Sequence, residues 1–131
     1  EATSWAMTYG EKYTGYTFHY VDEKIDNGKI ILQEKIEIDY SKSSYENELI
    51  KTKKAAEKIA KLFDLVCSDF EGYPQVGTPS YYGAKQKQKL LTFRQLEDIQ
   101  MVQRLIRIWG GVYISSQGAE TIFVTKVAGG R

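Results

Sequence analysis

The 131 residues are enough for one domain whose core needs neither disulfides nor a structural metal. The single cysteine, Cys67, excludes an intrachain disulfide and a zinc cage built from several cysteines. The net charge of +1 conceals an asymmetry, because residues 1–71 hold ten Lys/Arg against fourteen Asp/Glu, whereas residues 72–131 hold eight against three. We therefore expect an anionic partner to bind the second half of the chain.

The chain has no feature of a membrane protein. No uninterrupted apolar run approaches the ~18 residues that a spanning helix needs, and the start lacks the basic and then apolar form of a signal peptide. We therefore expect no membrane partner and, by default, a cytoplasmic location. The chain begins at Glu1 rather than Met, so a cleaved signal would leave no trace in this sequence.

The first predicted elements are strands. Trp5, Met7 and Tyr9 alternate with smaller residues, which is the pattern of a short strand. Residues 13–25 and 29–40 then predict two long strands that form a hairpin around Asp26-Asn27-Gly28.

The two faces of this hairpin favour one register. A two-residue turn would pair Phe18 with Glu37, an aromatic ring with a charge. A three-residue turn with Gly28 in the left-handed conformation would pair Phe18 with Ile36 instead. We expect the second register, which turns His19 away from the core. A lone histidine in that position is not expected to be catalytic.

A long helix follows. Ser43 and Glu46 form a capping box that opens it, and it is predicted to run to about Cys67. Apolar residues at helical spacing predict a stripe that packs into the core. The stripe consists of Leu49, Thr52, Ala56, Ile59, Ala60, Phe63, Val66 and Cys67. Four lysines on the opposite side are interpreted as a solvated face rather than a ridge that binds phosphates. They are Lys51, Lys54, Lys58 and Lys61.

A second helix is predicted from its cap, Thr92, to Gly110-Gly111. Its core stripe consists of Leu96, Ile99, Val102, Leu105, Ile106 and Trp109. Two short strands, 112–116 and 121–127, close the fold.

The chain is thus predicted to be a single α+β domain over residues 1–131, with a mostly antiparallel sheet of about five strands packed against two α-helices. The predicted order is strands, helix, long loop, helix, strands. Ile59, Phe63, Leu105 and Trp109 are placed at the centre of the core.

The loop at 68–91 is the most unusual segment, because a loop of this length without periodicity is uncommon inside a compact domain. It combines glycines, tyrosine rings and alternate lysines, which suits a nucleotide or a single-stranded nucleic acid. The predicted ligand-binding residues are Tyr81, Tyr82, Lys85, Lys87, Lys89 and Arg94, assisted by Arg104 and Arg107. The alternatives are a surface loop that packs on the sheet and a loop that contacts another protein.

Three functions are therefore considered, of which the first is favoured. The first is a small non-enzymatic protein that binds an anionic nucleotide or nucleic acid through this loop. The second is a protein interaction module, such as an inhibitor, an assembly subunit or a homo-oligomer that associates through its hairpin edge. The third is a metal-dependent phosphodiesterase that uses carboxylates of the hairpin, namely Asp22, Glu34, Glu37 and Asp39, with Lys35 among them. We expect no catalytic residue, metal or cofactor under the favoured function.

Overall fold

The computed structural model describes residues 1–24, 27–77, 90–92, 97–115 and 121–126. Helices and strands alternate irregularly along this part of the chain. In order they are α1 (Ala2–Thr8), β1 (Tyr13–His19), β2 (Ile30–Glu37), α2 (Ser44–Glu57), α3 (Ile59–Cys67), β3 (Leu90–Thr92), α4 (Ile99–Trp109), β4 (Val112–Ser115) and β5 (Thr121–Val124). None of the helices described is long and apolar enough to cross a bilayer.

The described strands form two small sheets. β1 and β2 are an antiparallel pair, and the second sheet has the order β3-β4-β5, with β3 parallel and β5 antiparallel to β4. The predicted sheet of about five strands on two helices is therefore wrong. The physical reason is that helices separate the sheets, because α1 packs on β1 and on α4, and α4 packs on β4.

The first element is a helix rather than the predicted strand. Its buried residues are Thr3, Trp5 and Met7, which alternate along the chain. They alternate because α1 is covered on more than one side, by β1 and α2 and by α4. The Trp5 ring meets the Trp109 ring edge to face, with centroids 5.0 Å apart. A short helix buried on several sides thus mimics the period of a strand.

The hairpin register also differs from the prediction. Phe18 pairs with Leu32 and not with Ile36, so the strands are shifted by four residues. Because four is an even number, the side chains from Tyr13 to Phe18 keep their predicted faces. An irregularity between Phe18 and His19 then pairs His19 with Ile30, so the predicted facing of His19 is not kept. The shift follows from a longer connection, which the hydrogen bond from Tyr20 N to Lys29 O closes at 2.9 Å.

Gly28 lies in this connection, and it does not have the predicted left-handed conformation. A Cβ atom added to Gly28 would lie 1.6 Å from the backbone oxygen of Tyr20. We expect Gly28→Ala to lower the free energy of unfolding by about 3 kcal/mol, the upper end of the usual cost of overpacking, because the obstructing atom is backbone. Gly10→Ala is the control, since its Cβ would meet nothing within 4 Å, and its φ of +72° predicts a cost of about 1 kcal/mol. Urea denaturation measures both, and equal midpoints would contradict the expected clash.

The helix after the hairpin begins as predicted. The Ser43 hydroxyl accepts from Glu46 N at 3.1 Å and the Glu46 carboxylate accepts from Ser43 N at 2.8 Å, which confirms the capping box. The predicted single helix, however, divides into α2 and α3 at Lys58.

The side of α2 and α3 that faces the protein is not the predicted apolar stripe. Every residue of that stripe is exposed, including Cys67, so the prediction that the stripe enters the core is wrong. Phe63 and Ile59 are 64% and 40% exposed and do not belong to the core. The inward side consists of Asn47, Lys51, Ala55, Lys58, Leu62 and Leu65. Lys51 can face inward because Glu48 and Thr3 accept hydrogen bonds from its ammonium at 2.8 and 3.1 Å.

Asn47 is the buried polar side chain that joins α2 to the end of β2, and only 3% of it is exposed. Its amide nitrogen donates to Asp39 O at 2.9 Å and to Ser43 O at 3.0 Å, while its oxygen accepts from Asp39 N at 3.0 Å. Three backbone groups are thus satisfied by one side chain.

The core consists of two apolar clusters that meet at α4. One contains Val102, Leu105, Val112 and Ile114, and the other contains Met7, Ile38 and Ile108. Trp109 packs against both clusters. Leu105 was therefore predicted correctly as a core residue.

The helix α4 ends as predicted at Gly110, which has the left-handed conformation. It begins at Ile99 with Asp98 as its cap, whereas the predicted cap, Thr92, lies in β3.

Candidate functional site

Most of the predicted ligand-binding residues fall outside the residues that the structure describes. These are Tyr81, Tyr82, Lys85, Lys87, Lys89 and Arg94, and their assignment stays a prediction. Arg104 and Arg107 lie exposed on α4. Arg107 is in the last turn, where a cation interacts favourably with the helix dipole without any ligand.

The carboxylates of the hairpin have different partners. Glu34 accepts a hydrogen bond from the Tyr16 hydroxyl, and Asp39 accepts from Ser41 and Lys42. Glu37 lies 3.9 Å from the Lys12 ammonium in an exposed pair. Within the described ranges, no three His, Cys, Asp or Glu side chains could together hold a metal ion. The predicted magnesium site on this hairpin is thus not formed by the described carboxylates.

The Tyr16 hydroxyl and the Asp39 carboxylate have strongly shifted pKa values. Partial burial, together with the hydrogen bond and charge of Glu34, raises the pKa of Tyr16 to about 12. Hydrogen bonds from Lys42 and Ser41 lower the pKa of Asp39 to about 2. Near neutral pH, Tyr16 therefore stays a hydroxyl donor and Asp39 stays a carboxylate. Both shifts move away from neutrality, so these groups stabilise structure rather than exchange protons.

A groove lies beside β2 and is the main candidate site. Its volume is about 650 Å³, within the usual range for a small-molecule site. The first half of β2, one side of α3 and the segment 70–76 form its walls. The lining residues are Ile30, Ile31, Leu32, Gln33, Lys61, Leu65, Phe70, Tyr73, Pro74, Gln75 and Val76. We call it the β2 groove.

The wall formed by residues 70–76 is fixed to β2 like a short extra strand. Ile30 N donates to Tyr73 O at 2.7 Å and Tyr73 N donates to Ile30 O at 2.8 Å. Gly72 enables this approach, because its φ is +80° and a Cβ there would lie 2.7 Å from Ile30 O. The Phe70 and Tyr73 rings meet edge to face at 5.5 Å. The groove thus has a preformed aromatic wall.

The same wall is attached to the β1–β2 connection. The Tyr20 hydroxyl donates to Phe70 O, and the Gln75 amide donates to Gly28 O at 2.8 Å. His19, the single imidazole of the chain, is the last residue of β1 before this connection, and its Nδ1 lies 2.8 Å from Tyr20 O. Because a carbonyl oxygen only accepts, Nδ1 carries the hydrogen of this bond. The position of the groove wall is therefore coupled to the connection after His19.

The β2 groove can bind a ligand with both an apolar and an anionic part. The apolar lining and the Tyr73 ring, which is 63% exposed, offer flat surfaces. Lys61 adds one positive charge to the lining. In the sequence, Tyr73 is one of the tyrosines of the loop at 68–91, and Lys61 is one of the four lysines on the solvated face of the predicted helix. The pairing of Tyr73 with Ile30, on which the groove depends, joins residues far apart in sequence and has no local signal.

Comparison with known proteins identifies similar proteins of one activity. Residues 1–62 match the family model described as formyl transferase. The GDP-perosamine N-formyltransferases of Brucella melitensis and Brucella abortus are each 27% identical to this chain over 81 residues. The match covers 62% of this chain and 31% of each relative, so the chain spans about a third of their length.

Two solved structures share the fold across almost the whole chain. A Mycobacterium tuberculosis protein to which sugar N-formyltransferase activity is ascribed has a TM-score of 0.73 at 17% identity, with 98% of this chain and 59% of that chain covered. A 4-N formyltransferase from Francisella tularensis has a TM-score of 0.69 at 19% identity, with 95% and 54% covered.

These findings overturn the favoured function from the sequence. The similar proteins are enzymes, so the prediction of a non-enzymatic binding protein is wrong. Binding of nucleic acid or a free nucleotide, a protein interaction module and a phosphodiesterase likewise find no support among them. The Brucella relatives are named for a sugar nucleotide, and the charge pattern gave no indication of a sugar. The fold of this chain is that of the two formyltransferase structures.

Proposed function

We propose that this chain forms part of an N-formyltransferase that acts on an amino sugar linked to a nucleotide. The observation that carries the proposal is that three different comparisons agree on formyl transfer. The Brucella relatives are named for an amino sugar, and the Mycobacterium protein is described as a sugar N-formyltransferase. The substrate class follows from the Brucella relatives, which carry GDP-perosamine in their name.

The β2 groove supports this proposal as a place for the acceptor. A sugar ring has an apolar face that packs on an aromatic side chain, and the exposed ring of Tyr73 offers one. The diphosphate of a sugar nucleotide needs a cation, and Lys61 lies in the same lining. We infer that Tyr73 and Lys61 bind the two ends of the acceptor.

The proposed reaction exchanges one bond at the formyl carbon. The amine nitrogen of the sugar bonds to the formyl carbon, and the bond from that carbon to the donor breaks. The donor leaves with the electron pair of that bond, and the amine loses one proton. Positioning of the amine against the formyl carbon is the main contribution that a binding groove makes to such a transfer.

Mass spectrometry tests the activity. The protein, in the natural polypeptide that carries this sequence, is incubated with amino sugars linked to GDP, UDP and dTDP, with a panel of formylated compounds as candidate donors. At least one acceptor should gain the mass of one CO. The same sugars with an acetylated amine are the control and should gain nothing, because their nitrogen is no longer nucleophilic. Absence of the product with every amine would contradict the proposed function.

The role of the groove is tested with the acceptor that reacts. Lys61→Gln and Tyr73→Ala should raise KM about tenfold or more with a smaller change in kcat, because both remove binding contacts. Lys53→Gln is the matched control, since Lys53 is exposed on α2 and does not line the groove. If both groove variants keep the KM of the unmodified protein, the acceptor binds elsewhere.

A further inference from the structure

The proposed activity does not explain why one side of α2 and α3 is both apolar and exposed. We call this side the outer stripe, and its members are all exposed. They are Leu49, Thr52, Ala56, Ile59, Ala60, Phe63, Val66 and Cys67. The four large apolar side chains are 51%, 40%, 64% and 41% exposed at Leu49, Ile59, Phe63 and Val66. A row of this kind extends over about 25 Å of helix.

The outer stripe is separate from the β2 groove. At about 100° per residue, Ile59, Phe63 and Val66 fall within an arc of roughly 60° on α3. Lys61 and Leu65, which line the groove, fall on another side of the same helix. The inward side of both helices shares Leu65 with the groove, and neither of them includes a member of the outer stripe. The outer stripe therefore has no role in forming the groove.

Solvation does not account for the composition of the outer stripe. These helices already have a polar, exposed side, which consists of Lys53, Lys54, Glu57 and Asp64. An amphipathic helix places its apolar side against other protein, and large exposed apolar patches mark interaction surfaces. The stripe carries no charged residue, so its partner must be apolar as well.

The relatives indicate what that partner is. This chain covers 59% of the Mycobacterium neighbour and 54% of the Francisella neighbour, although nearly all of the chain is matched. Both formyltransferase folds therefore contain a large portion with no counterpart in these residues. We propose that the outer stripe docks this remaining portion of the N-formyltransferase fold through an apolar surface. This inference rests on the proposed function, because the relatives supply the identity of the occupant.

Cys67 provides a direct probe, because it is the only cysteine of the sequence, it is exposed and it belongs to the outer stripe. The rate of its alkylation by a maleimide is compared between the isolated 131-residue chain and the natural polypeptide that carries this sequence. Peptide mapping assigns the label to Cys67. We expect the natural polypeptide to react at least about tenfold more slowly, because a docked surface opens only by local unfolding.

Substitutions separate docking from other causes of protection. Phe63→Ser should return the labelling rate in the natural polypeptide toward that of the isolated chain. Lys53→Ser, which places the same side chain on the polar side of α2, should leave the protection unchanged. In the isolated chain neither variant should change the labelling rate by more than about twofold, since nothing docks there.

The outcomes distinguish this inference from the proposed function. Fast labelling of the natural polypeptide would overturn the docking even if formyl transfer is observed. Slow labelling that Phe63→Ser abolishes would support the docking even if no formyl transfer is found. Protection in the isolated chain that accompanies a dimer by native mass spectrometry would overturn it too, because a second copy would then be the occupant.

Discussion

Leu105→Ala should lower the free energy of unfolding by about 2 to 5 kcal/mol, whereas Phe63→Ala should change it by less than about 0.5 kcal/mol in the isolated chain. Leu105 is 3% exposed within the larger apolar cluster, so its removal leaves a cavity that Val102 and Val112 cannot fill. Phe63 is 64% exposed and loses little contact. Sequence periodicity alone assigns both residues to the core.

Urea denaturation of the two variants measures this difference. Val112→Ala is a useful intermediate control, because it removes a smaller side chain from the same cluster and should cost less than Leu105→Ala. A loss of more than about 2 kcal/mol for Phe63→Ala would mean that the outer stripe is covered within these 131 residues. That result would also remove the basis for docking of another portion of the fold.

Asn47→Ala should lower the free energy of unfolding by about 2 to 4 kcal/mol. The buried amide satisfies both backbone groups of Asp39 and the carbonyl of Ser43, and each buried group left without a partner costs about 1 to 3 kcal/mol. Water can reach some of these groups after truncation, so the three costs do not add fully.

Asn47→Asp tests the same contacts without a change of size. An ionised carboxylate can still accept from Asp39 N, but it cannot donate to the two carbonyl oxygens. We expect a loss at neutral pH at least as large as that of Asn47→Ala. The deficit should shrink as the pH falls, because protonation of the carboxyl restores one donor. A pH-independent deficit would show that the loss comes from packing and not from these hydrogen bonds.

The sequence predicts local features of this fold well. The capping box at Ser43 and Glu46, the left-handed end of α4 at Gly110 and the buried position of Leu105 depend on neighbours within a few residues, so their signals are visible in the chain. The faces of the β1–β2 hairpin follow the prediction from Tyr13 to Phe18, but not at His19, which pairs with Ile30 after an irregularity. The predicted register is wrong, because alternation determines a face and allows any even shift.

The remaining features depend on tertiary contacts. The strand predicted around Trp5 is a helix because several elements cover it at once. The pattern of the outer stripe predicts a core face, because apolar residues at helical spacing indicate that one side of a helix packs against protein. The pattern does not indicate which part of the protein covers that side. The β2 groove needs the pairing of Ile30 with Tyr73, which are far apart in sequence. The charge asymmetry indicates only the later, basic part of the loop at 68–91.

The edge contact between Trp5 and Trp109 determines what tryptophan fluorescence reports in this protein. These are the only two tryptophans of the sequence, their ring centroids are 5.0 Å apart, and the Trp109 indole donates to the Thr8 hydroxyl at 3.0 Å. Their emission therefore follows the α1–α4 contact, whereas backbone circular dichroism also includes α2 and α3. Coincident transitions from the two signals would indicate that the helix pair unfolds together with the core. An earlier change in the dichroism alone would identify α2 and α3 as a separately unfolding unit.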